Sequence, residues 1–419
     1  MPKQLEGKNE YSCCLYFKLL LSQMSDDINY RFTEGGIVYD FYDVFIPADI
    51  FRQPALWGWG STAQGQVGTN EQGTNKPSPV TTFAGGSNWK QISCGGLHTA
   101  AIKTDGTLWI WGYNSYGQLG TNDTTQRNTP VTTLLGGTNW EQLGSGYGQM
   151  AVVKTDGTLW TWGRNNSGQL GINDTTNRST PVTTLLGGTN WKKTNSGKYH
   201  TAAIKTDGTL WLWGNNSIYG ACGTNDTTNR NTPVTTLLGG NNWKQVACGN
   251  DISAAIKTDG TLWIWGKNAD GQLGINNAPN SRITPVTTIL GGNNWKSVAC
   301  GYDLTAAVKT DGTLWLWGAT LYGQLGINVS GTAVTRSTPV TTILGGTNWK
   351  SVSCGRLYAS AIKTDGTLWT WGYNNTQQLG NNDTLPKSTP ITTLRGRNNW
   401  KSLSCGDNHM MAIQYVPDP

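Results

Sequence analysis

The sequence predicts an all-β fold: a seven-bladed β-propeller closed by N- and C-terminal strands in one shared blade, plus a short N-terminal extension. Three observations predict it. A unit of about 52 residues recurs along the chain, each unit contains four short strand patterns, and the repeat region begins and ends with half a unit. Such a period with four strands is typical of propeller blades. We therefore divide the chain into residues 1–54, the propeller at 55–416, and a tail at 417–419.

The composition fits a large folded repeat protein. Charged residues make up 13% of the 419 residues, while Gly reaches 55 and Trp 21, so the chain is rich in tight turns and packed aromatic positions. Disorder is excluded as a description of the whole chain. The formal net charge is +6 and there is no run of five basic residues, so nucleic-acid binding is not implied.

The repeated block reads Lys-Thr-Asp-Gly-Thr-Leu-Trp-x-Trp-Gly. It begins at Lys103, Lys154, Lys205, Lys257, Lys309 and Lys363. A shorter copy, which has only the last five positions of the block, occupies Leu56 to Gly60. A second block, which starts at an Asn-Trp pair, supplies a third Trp to every unit. Seven units with three Trp each account for every Trp in the chain.

One unit shows how the strands are predicted. The patterns give strands at Trp89 to Cys94, Thr99 to Thr104, Thr107 to Trp111 and Thr129 to Leu134. The Asp105-Gly106 pair predicts a two-residue hairpin with a primed turn. Alternation in Leu108 to Trp111 places both Trp side chains towards one neighbouring blade and both aliphatic side chains towards the other.

The two ends of the repeat region complement each other. The chain enters at the third and fourth strands of a unit, Leu56 to Gly60 and Pro79 to Phe83. It leaves after the first and second, Trp400 to Cys405 and Met410 to Gln414. Joined, they form a seventh blade and leave no exposed sheet edge.

Two motifs carry a family resemblance. Trp-Gly-x-Asn-x-x-Gly-Gln-Leu-Gly is clearest at Trp111 to Gly120 and Trp162 to Gly171, and Cys-Gly-x-x-His-Thr-Ala-Ala occupies Cys94 to Ala101. With these motifs, residues 55 to 416 resemble the regulator of chromosome condensation repeat family, and the near identity of the copies resembles its prokaryotic and phage versions. The resemblance implies a seven-bladed propeller. Family members include a nucleotide exchange factor for a small GTPase, ubiquitin-ligase propellers and a secreted β-lactamase inhibitor.

Exchange activity in this family uses an enlarged insertion in one blade, and chromatin attachment uses a basic N-terminal tail. The steps between units here differ by at most three residues, and residues 1–54 are not basic. We therefore do not expect nucleotide exchange.

The loops predict one variable face. The loops joining strands one to two and three to four emerge together and differ between units, whereas the Asp-Gly turns and the Gly-Gly-x-Asn connections on the other face are almost invariant. Diversified tips on a rigid scaffold are where a partner would bind, and Tyr and Arg are common contact residues. Drift of exposed residues is the alternative. The candidate binding residues are His98, Tyr113, Tyr116, Tyr147, Arg164, Tyr199, Tyr219, Asp251, Tyr302, Tyr322, Arg356, Tyr358, Tyr373 and Asp407.

Other chemistry-bearing residues fall into shared repeat positions. His98, His200 and His409 occupy one position, for which we expect a local hydrogen bond. Five thiols share a position with two serines, which predicts structural thiols: Cys94, Cys248, Cys300, Cys354 and Cys405, with Ser145 and Ser196. For Asp123, Asp174, Asp226 and Asp383 we expect Asx turns rather than calcium. We expect no catalytic residues, no metal and no cofactor.

The N-terminal extension is unlike the repeat. Residues 11 to 24 are largely apolar but too short to span a membrane, so we expect either a short helix there or, as the alternative, translation that begins at Met24. The following aromatic residues predict an anchoring arm that docks onto another subunit, or a segment that covers the propeller's own side: Tyr39, Phe41, Tyr42, Phe45 and Phe51.

Our functional hypothesis is a non-enzymatic protein-protein interaction propeller, part of a bacteriophage virion (tail, baseplate, fibre or capsid-associated). It would assemble through the arm with other phage subunits and contact a host surface protein or glycan. The alternative is a free-standing binding module of the enzyme-inhibitor or small-GTPase-regulator type, cytoplasmic or secreted.

Overall fold

The computed structural model describes residues 31–34, 37–40, 52–84, 88–331, 335–396 and 398–417. The chain forms two compact units, residues 1–51 and 52–419. In the first unit, strands β1 (Arg31–Glu34) and β2 (Ile37–Asp40) pair as an antiparallel hairpin. Tyr39 lies in β2. The other arm residues, Phe41, Tyr42, Phe45 and Phe51, lie outside the described residues, so the docking hypothesis stays a prediction.

The second unit contains seven four-stranded antiparallel sheets, as the repeat predicts. Six blades are continuous in sequence. Blade 1 has β5 (Trp89–Cys94), β6 (His98–Lys103), β7 (Leu108–Gly112) and β8 (Arg127–Thr132); blade 2 has β9 (Trp140–Ser145), β10 (Gln149–Lys154), β11 (Leu159–Gly163) and β12 (Arg178–Thr183); blade 3 has β13 (Trp191–Ser196), β14 (His200–Lys205), β15 (Leu210–Gly214) and β16 (Arg230–Thr235). Blade 4 has β17 (Trp243–Cys248), β18 (Ile252–Lys257), β19 (Leu262–Gly266) and β20 (Arg282–Thr287); blade 5 has β21 (Trp295–Cys300), β22 (Leu304–Lys309), β23 (Leu314–Ala319) and β24 (Thr335–Thr341); blade 6 has β25 (Trp349–Cys354), β26 (Tyr358–Lys363), β27 (Leu368–Gly372) and β28 (Lys387–Thr392).

Blade 7 is shared by the two ends of the repeat region, as predicted. Its strands are β29 (Trp400–Cys405), β30 (His409–Pro417), β3 (Arg52–Gly60) and β4 (Lys76–Thr81), in that order. The central pair, β3 with β30, runs in unbroken register from Arg52 opposite Pro417 to Gly60 opposite His409. The seam between the ends is therefore a long hydrogen-bonded ladder in the middle of a sheet.

The core lies between neighbouring blades. Trp111 packs with Leu56 and Met411 of blade 7, whereas Ile110 on the other side of the same strand packs with Trp140 of blade 2. This is the two-sided burial that the alternation predicts. The core is therefore a set of aromatic–aliphatic layers, one at each junction.

A repeated hydrogen bond fixes each layer and explains the Gly-Gln-Leu-Gly motif. The indole of the second Trp in each block donates to a backbone carbonyl in the long loop of the preceding blade. The pairs are Trp59 to Gln378, Trp111 to Gln66, Trp162 to Gln118, Trp213 to Gln169, Trp265 to Ala221, Trp317 to Gln272 and Trp371 to Gln324, at 2.7–2.9 Å. A buried indole N–H needs such an acceptor.

The Asp-Gly hairpins differ from the prediction. They are three-residue turns rather than two-residue primed turns, because Gly106 has a positive φ (+79°) and Asp105 does not. The Asp105 carboxylate accepts hydrogen bonds from Thr107 N (2.9 Å) and Thr107 Oγ1 (2.7 Å). This bonding holds Asp105 in an ordinary turn conformation, and the following Gly alone takes the left-handed one.

The Asn-Asp-Thr phrases form Asx turns, as predicted. Thr125 N donates to Asp123 Oδ1 at 2.8 Å, and Arg127 pairs with the other carboxylate oxygen at 2.7 Å. Asn114 donates to Asp123 O and accepts from Leu119 N, so it ties the two halves of the long loop together. These carboxylates are therefore already used in the loop.

The shared Cys or Ser position links neighbouring blades, which supports structural thiols. Cys94 Sγ donates to Ser404 O of blade 7 at 3.3 Å, and Ser145 Oγ donates to Ser93 O of blade 1 at 3.2 Å. A small donor is what this position requires, and Ser supplies it as well as Cys.

Candidate binding face at the channel mouth

Seven tip loops, each between the first and second strands of a blade, surround the mouth of the axial channel. The first variable residue of each tip lines a cavity of about 80 Å³ at this mouth: Gly96, Tyr147, Lys198, Asn250, Tyr302, Arg356 and Asp407. We call this side the tip face, and the side with the Asp-Gly hairpins the base face.

Backbone hydrogen bonds hold the tips, so side chains there are free to vary. In blade 1, Gly95 N donates to His98 O at 2.8 Å, and Tyr113 N in the long loop donates to Leu97 O at 2.9 Å. The same bonds recur in blade 2 from Gly146 N and Arg164 N. Neither bond uses the side chain of the first variable residue.

A charged and aromatic cluster spans the channel mouth. Tyr302 Oη donates to Asp407 Oδ2 at 3.4 Å across the ring of blades. The Arg356 guanidinium lies 5.3 Å from the centre of the Tyr302 ring, and Lys198 Nζ lies 4.8 Å from it. Residues from blades 3, 5, 6 and 7 therefore meet at one point.

The position of Asp407 disfavours the ionised form of its carboxylate, because the side chain is largely buried. Burial raises its pKa to about 6, against the opposing effects of Arg356, Lys198 and the Tyr302 hydrogen bond. Burial also raises the pKa of Tyr302, with the Asp407 charge adding to the effect. A carboxyl group whose pKa is raised in this way by burial is typical of functional sites.

A row of tyrosines and cations extends from the mouth over blades 1 to 3. Tyr113 and Tyr116 meet edge to face at 5.9 Å, and Arg164 lies between the rings of Tyr116 (5.0 Å) and Tyr199 (4.9 Å). Tyr199 lies 6.3 Å from Tyr147. All five side chains are partly exposed. The row is an ordered aromatic surface held by cation–π contacts.

An acidic cluster occupies the other side of the face, around blades 4 and 5. Lys267 pairs with Asp303 at 2.7 Å and lies 3.8 Å from Asp270. Burial acts to lower the pKa of Lys267, but these two carboxylates outweigh it and the pKa is raised. Asp251 accepts from Asn215 at 3.1 Å, and burial raises its pKa.

The remaining candidates lie at the edge of this face. Tyr322 and Tyr373 meet edge to face at 4.8 Å on blades 5 and 6. Tyr219 lies near the Lys267 ammonium and contributes to its raised pKa. All three are partly buried.

Two predicted residues do not reach the surface. His98 and Tyr358 are fully buried, because the third tip residue is the first residue of the second strand and points into the junction with the next blade. His98 Nε2 lies 3.1 Å from Met150 Sδ, and Tyr358 Oη donates to His409 O at 2.6 Å. They support the face from behind and are removed from the candidate set.

The other histidines at this position make the expected local hydrogen bonds. His200 Nε2 lies 2.8 Å from Ser253 Oγ, and His409 Nε2 lies 2.9 Å from Thr99 Oγ1, each in the next blade. Because both hydroxyls donate to backbone carbonyl oxygens, the imidazoles are the donors in these two bonds. Burial lowers the pKa of His200 to about 4 and that of His409 to about 3. Both imidazoles are neutral structural groups at neutral pH.

The thiols do not have the chemistry of nucleophiles. Burial raises the pKa of Cys222, Cys300 and Cys405 to about 12 and that of Cys94 still higher, so they are protonated at neutral pH. Among the residues whose placement the structure gives, no three His, Cys, Asp or Glu side chains group as a metal site. In the same part of the chain, no helix is long and apolar enough to cross a membrane.

Three residues that organise the face lie in the variable loops but are not among the candidate binding residues chosen from the sequence. Lys198 and Asp303 are tip residues, and Lys267 belongs to the long loop of the preceding blade. The sequence feature that could have found them is complementary charge. The tip of one blade meets the long loop of its neighbour, so an acidic residue in one loop can form an ion pair with a basic residue in the other.

The comparisons with known proteins agree with this architecture. The RCC1-like domain family matches residues 55–412. The ultraviolet-B receptor UVR8 of Arabidopsis thaliana is 30% identical over 340 residues, which cover 79% of this chain and 76% of the receptor. The human E3 ubiquitin-protein ligase HERC2 is 28% identical over 370 residues, 85% of this chain but only 8% of the ligase.

Solved structures share the fold. Human WBSCR16 superposes with a TM-score of 0.74 at 20% identity, covering 86% of this chain and 100% of that one. Prp20p of Saccharomyces cerevisiae superposes with a TM-score of 0.75 at 20% identity, covering 88% of this chain and 92% of that one. The resemblance inferred from the motifs is confirmed, and this chain belongs to the RCC1-like domain family.

Proposed function

We propose that this chain is a non-enzymatic binding module that holds a protein partner on its tip face. One observation carries the proposal: residues that differ between repeats converge around the channel mouth, while residues shared by the repeats build the junctions between blades. Variation concentrated on one supported face is the arrangement expected of a recognition surface.

The side chains of the face have the properties of contact residues. Tyr147, Tyr199 and Arg164 are large, partly exposed and already packed against one another. Such residues lose little conformational freedom when a partner covers them, and Tyr and Arg dominate binding energy at protein interfaces. The ordered face therefore favours a protein surface as the partner.

The relatives favour the free-standing binding module over the virion component. The matched proteins include a plant ultraviolet-B receptor and a human E3 ubiquitin-protein ligase, and the structurally similar Prp20p binds Gsp1p and histones. None of these relatives supports a phage source, a virion location or a host receptor. The arm hypothesis has no independent support.

The test compares proteins that co-purify with the wild-type chain and with a tip variant from an extract of the source organism. The variant is Tyr147→Ala, Tyr302→Ala and Arg356→Ala, because all three side chains line the mouth and the backbone hydrogen bonds that hold the tips do not use them. We expect quantitative mass spectrometry to show loss of a specific partner at least tenfold, as for removal of contact residues worth about 1.4 kcal/mol or more in total.

The matched control lies on the base face. Leu185→Ala, Leu237→Ala and Leu394→Ala remove three exposed side chains of comparable size. Retention of the partner by this control supports the tip face. Equal loss in both variants, or unchanged capture by the tip variant, would contradict the proposal.

A further inference from the structure

A cationic cavity lies at the junction of blades 3 and 4 on the base face, away from the tip face. Its volume is about 220 Å³, far more than the ~10–15 Å³ that one water needs by the same measure. Its polar lining is dominated by four lysines, Lys192, Lys193, Lys205 and Lys244, with the single carboxylate of Asp207. The charged groups that line it therefore sum to a clear positive excess.

Lys193 is the residue that distinguishes this junction from the others. The equivalent position holds Gln in three blades and Ser in three, at Gln91, Gln142, Gln245, Ser297, Ser351 and Ser402. Lys193 Nζ donates to Lys244 O at 2.8 Å, so its ammonium is held between the two blades. The side chain is partly buried there, with Lys192 and Lys244 as charged neighbours.

Among the described residues that line the cavity, Asp207 is the only carboxylate that could balance the lysines. Burial lowers the pKa of Lys193, and the charges of Lys192 and Lys244 lower it further. Asp207 is exposed and accepts two hydrogen bonds from Thr209. Lys205 lies over the rings of Trp191 (4.8 Å) and Trp211 (5.1 Å). Crowded like charges cost free energy that a bound anion would offset.

We propose that this cavity binds a phosphate group that carries more than one negative charge, with Lys193, Lys192 and Lys244 as its ligands. Lys193 donates one N–H to the backbone and has two left for phosphate oxygens. Ammonium groups that reach an anion from several sides make short, charge-assisted hydrogen bonds. The phosphate group belongs either to a small free molecule or to a lipid headgroup.

The test uses isothermal titration calorimetry with sodium pyrophosphate at fixed ionic strength. We expect saturable binding of one pyrophosphate per chain, and binding about tenfold weaker or more in Lys193→Gln, because one charge-assisted ligand is lost. Gln occupies this position in three other blades, so the variant preserves the fold, and its melting temperature checks this. Lys296→Gln, on blade 5 and outside the cavity lining, is the matched control and should change affinity less than about twofold.

A gain-of-function variant sharpens the test. The junction of blades 4 and 5 has Lys244, Lys257 and Lys296 in equivalent places but Gln245 where blade 3 has Lys193. Gln245→Lys should therefore create a second site and raise the stoichiometry to two. Unchanged stoichiometry contradicts the assignment of Lys193 as the deciding ligand.

Three further outcomes decide the proposal. Absence of saturable binding, or equal weakening by Lys193→Gln and Lys296→Gln, overturns it. Citrate binding as tightly as pyrophosphate overturns the choice of phosphate. Vesicles containing phosphatidic acid identify the source: retention that Lys193→Gln abolishes assigns a lipid headgroup, and pyrophosphate binding without retention assigns a free molecule.

Discussion

The tip face and the base face of the propeller both carry short hairpin loops, but their side chains have different tasks. At the base, the Asp105 carboxylate bonds to Thr107, and Gly106 lies against a backbone carbonyl of the next connection. At the tip of blade 1, the loop is closed by a hydrogen bond between backbone atoms of Gly95 and His98, and the side chain of the first variable residue takes no part in it. Sequence is therefore constrained where a side chain completes the backbone hydrogen bonding, and free where it does not.

The largest loss of stability is expected when the packing at a blade junction is disrupted. Trp111→Ala removes a fully buried side chain and the indole bond to Gln66. We expect a loss of about 3–5 kcal/mol in the free energy of unfolding, measured by urea denaturation followed by circular dichroism. A loss below about 1 kcal/mol would show that the junctions do not hold the ring.

The next effect distinguishes two glycines at the base of blade 2, Gly157 in its Asp-Gly hairpin and Gly187 in the connection to blade 3. A Cβ on Gly157 would meet Thr189 O at 2.1 Å, whereas nothing lies within 4 Å of a Cβ on Gly187, and both have positive φ. Gly157→Ala should cost about 1–3 kcal/mol more than Gly187→Ala. Equal melting temperatures of the two variants would mean that the backbone at Thr189 moves easily to make room for the added Cβ atom.

A smaller effect depends on pH at the tip face. The folded-state pKa of Asp407 is about 6, above its ordinary 3.8, so the folded chain binds this proton more readily than the unfolded chain. Its contribution to stability therefore falls as pH rises from about 4 to about 6, and the cost persists above that.

Asp407→Asn removes this cost, so the variant should be more stable than wild type by about 1–2 kcal/mol at pH 8 and by little at pH 4. Melting curves across this pH range measure the difference. A constant difference between variant and wild type would contradict the raised pKa.

The smallest effect is expected at an outer tip. Tyr113→Ala removes a partly exposed ring whose described aromatic contact is with Tyr116. The free energy of unfolding should change by less than about 0.5–1 kcal/mol, measured by the same urea denaturation. A loss comparable to that of Trp111→Ala would remove the distinction between the two kinds of position.

Much of the fold is predictable from the repeat because each unit must bury both sides of its central strands. Periodicity gave the seven blades, the strand Trp89–Cys94 and the shared blade. The hairpin geometry was not predictable from Asp105-Gly106 alone, because the outcome depends on where the Asp carboxylate finds a donor, which is Thr107.

The candidate face was predictable as a region but not residue by residue. Tyr147 and Tyr358 both lie in tips, yet one lines the channel mouth and the other is buried, because strand alternation already applies to the third tip residue. The pairing of Lys267 with Asp303 needs the distance between neighbouring blades, which sequence spacing does not give.

The seam between β3 and β30 has a consequence for biosynthesis. β3 emerges from the ribosome with its central-strand partner still about 350 residues away along the chain. At about 5–20 residues per second, the wait is of the order of tens of seconds, during which an apolar strand edge stays open. The ring therefore cannot close before β30 has been synthesised, and chaperone capture of the nascent half-blade is the expected safeguard against aggregation.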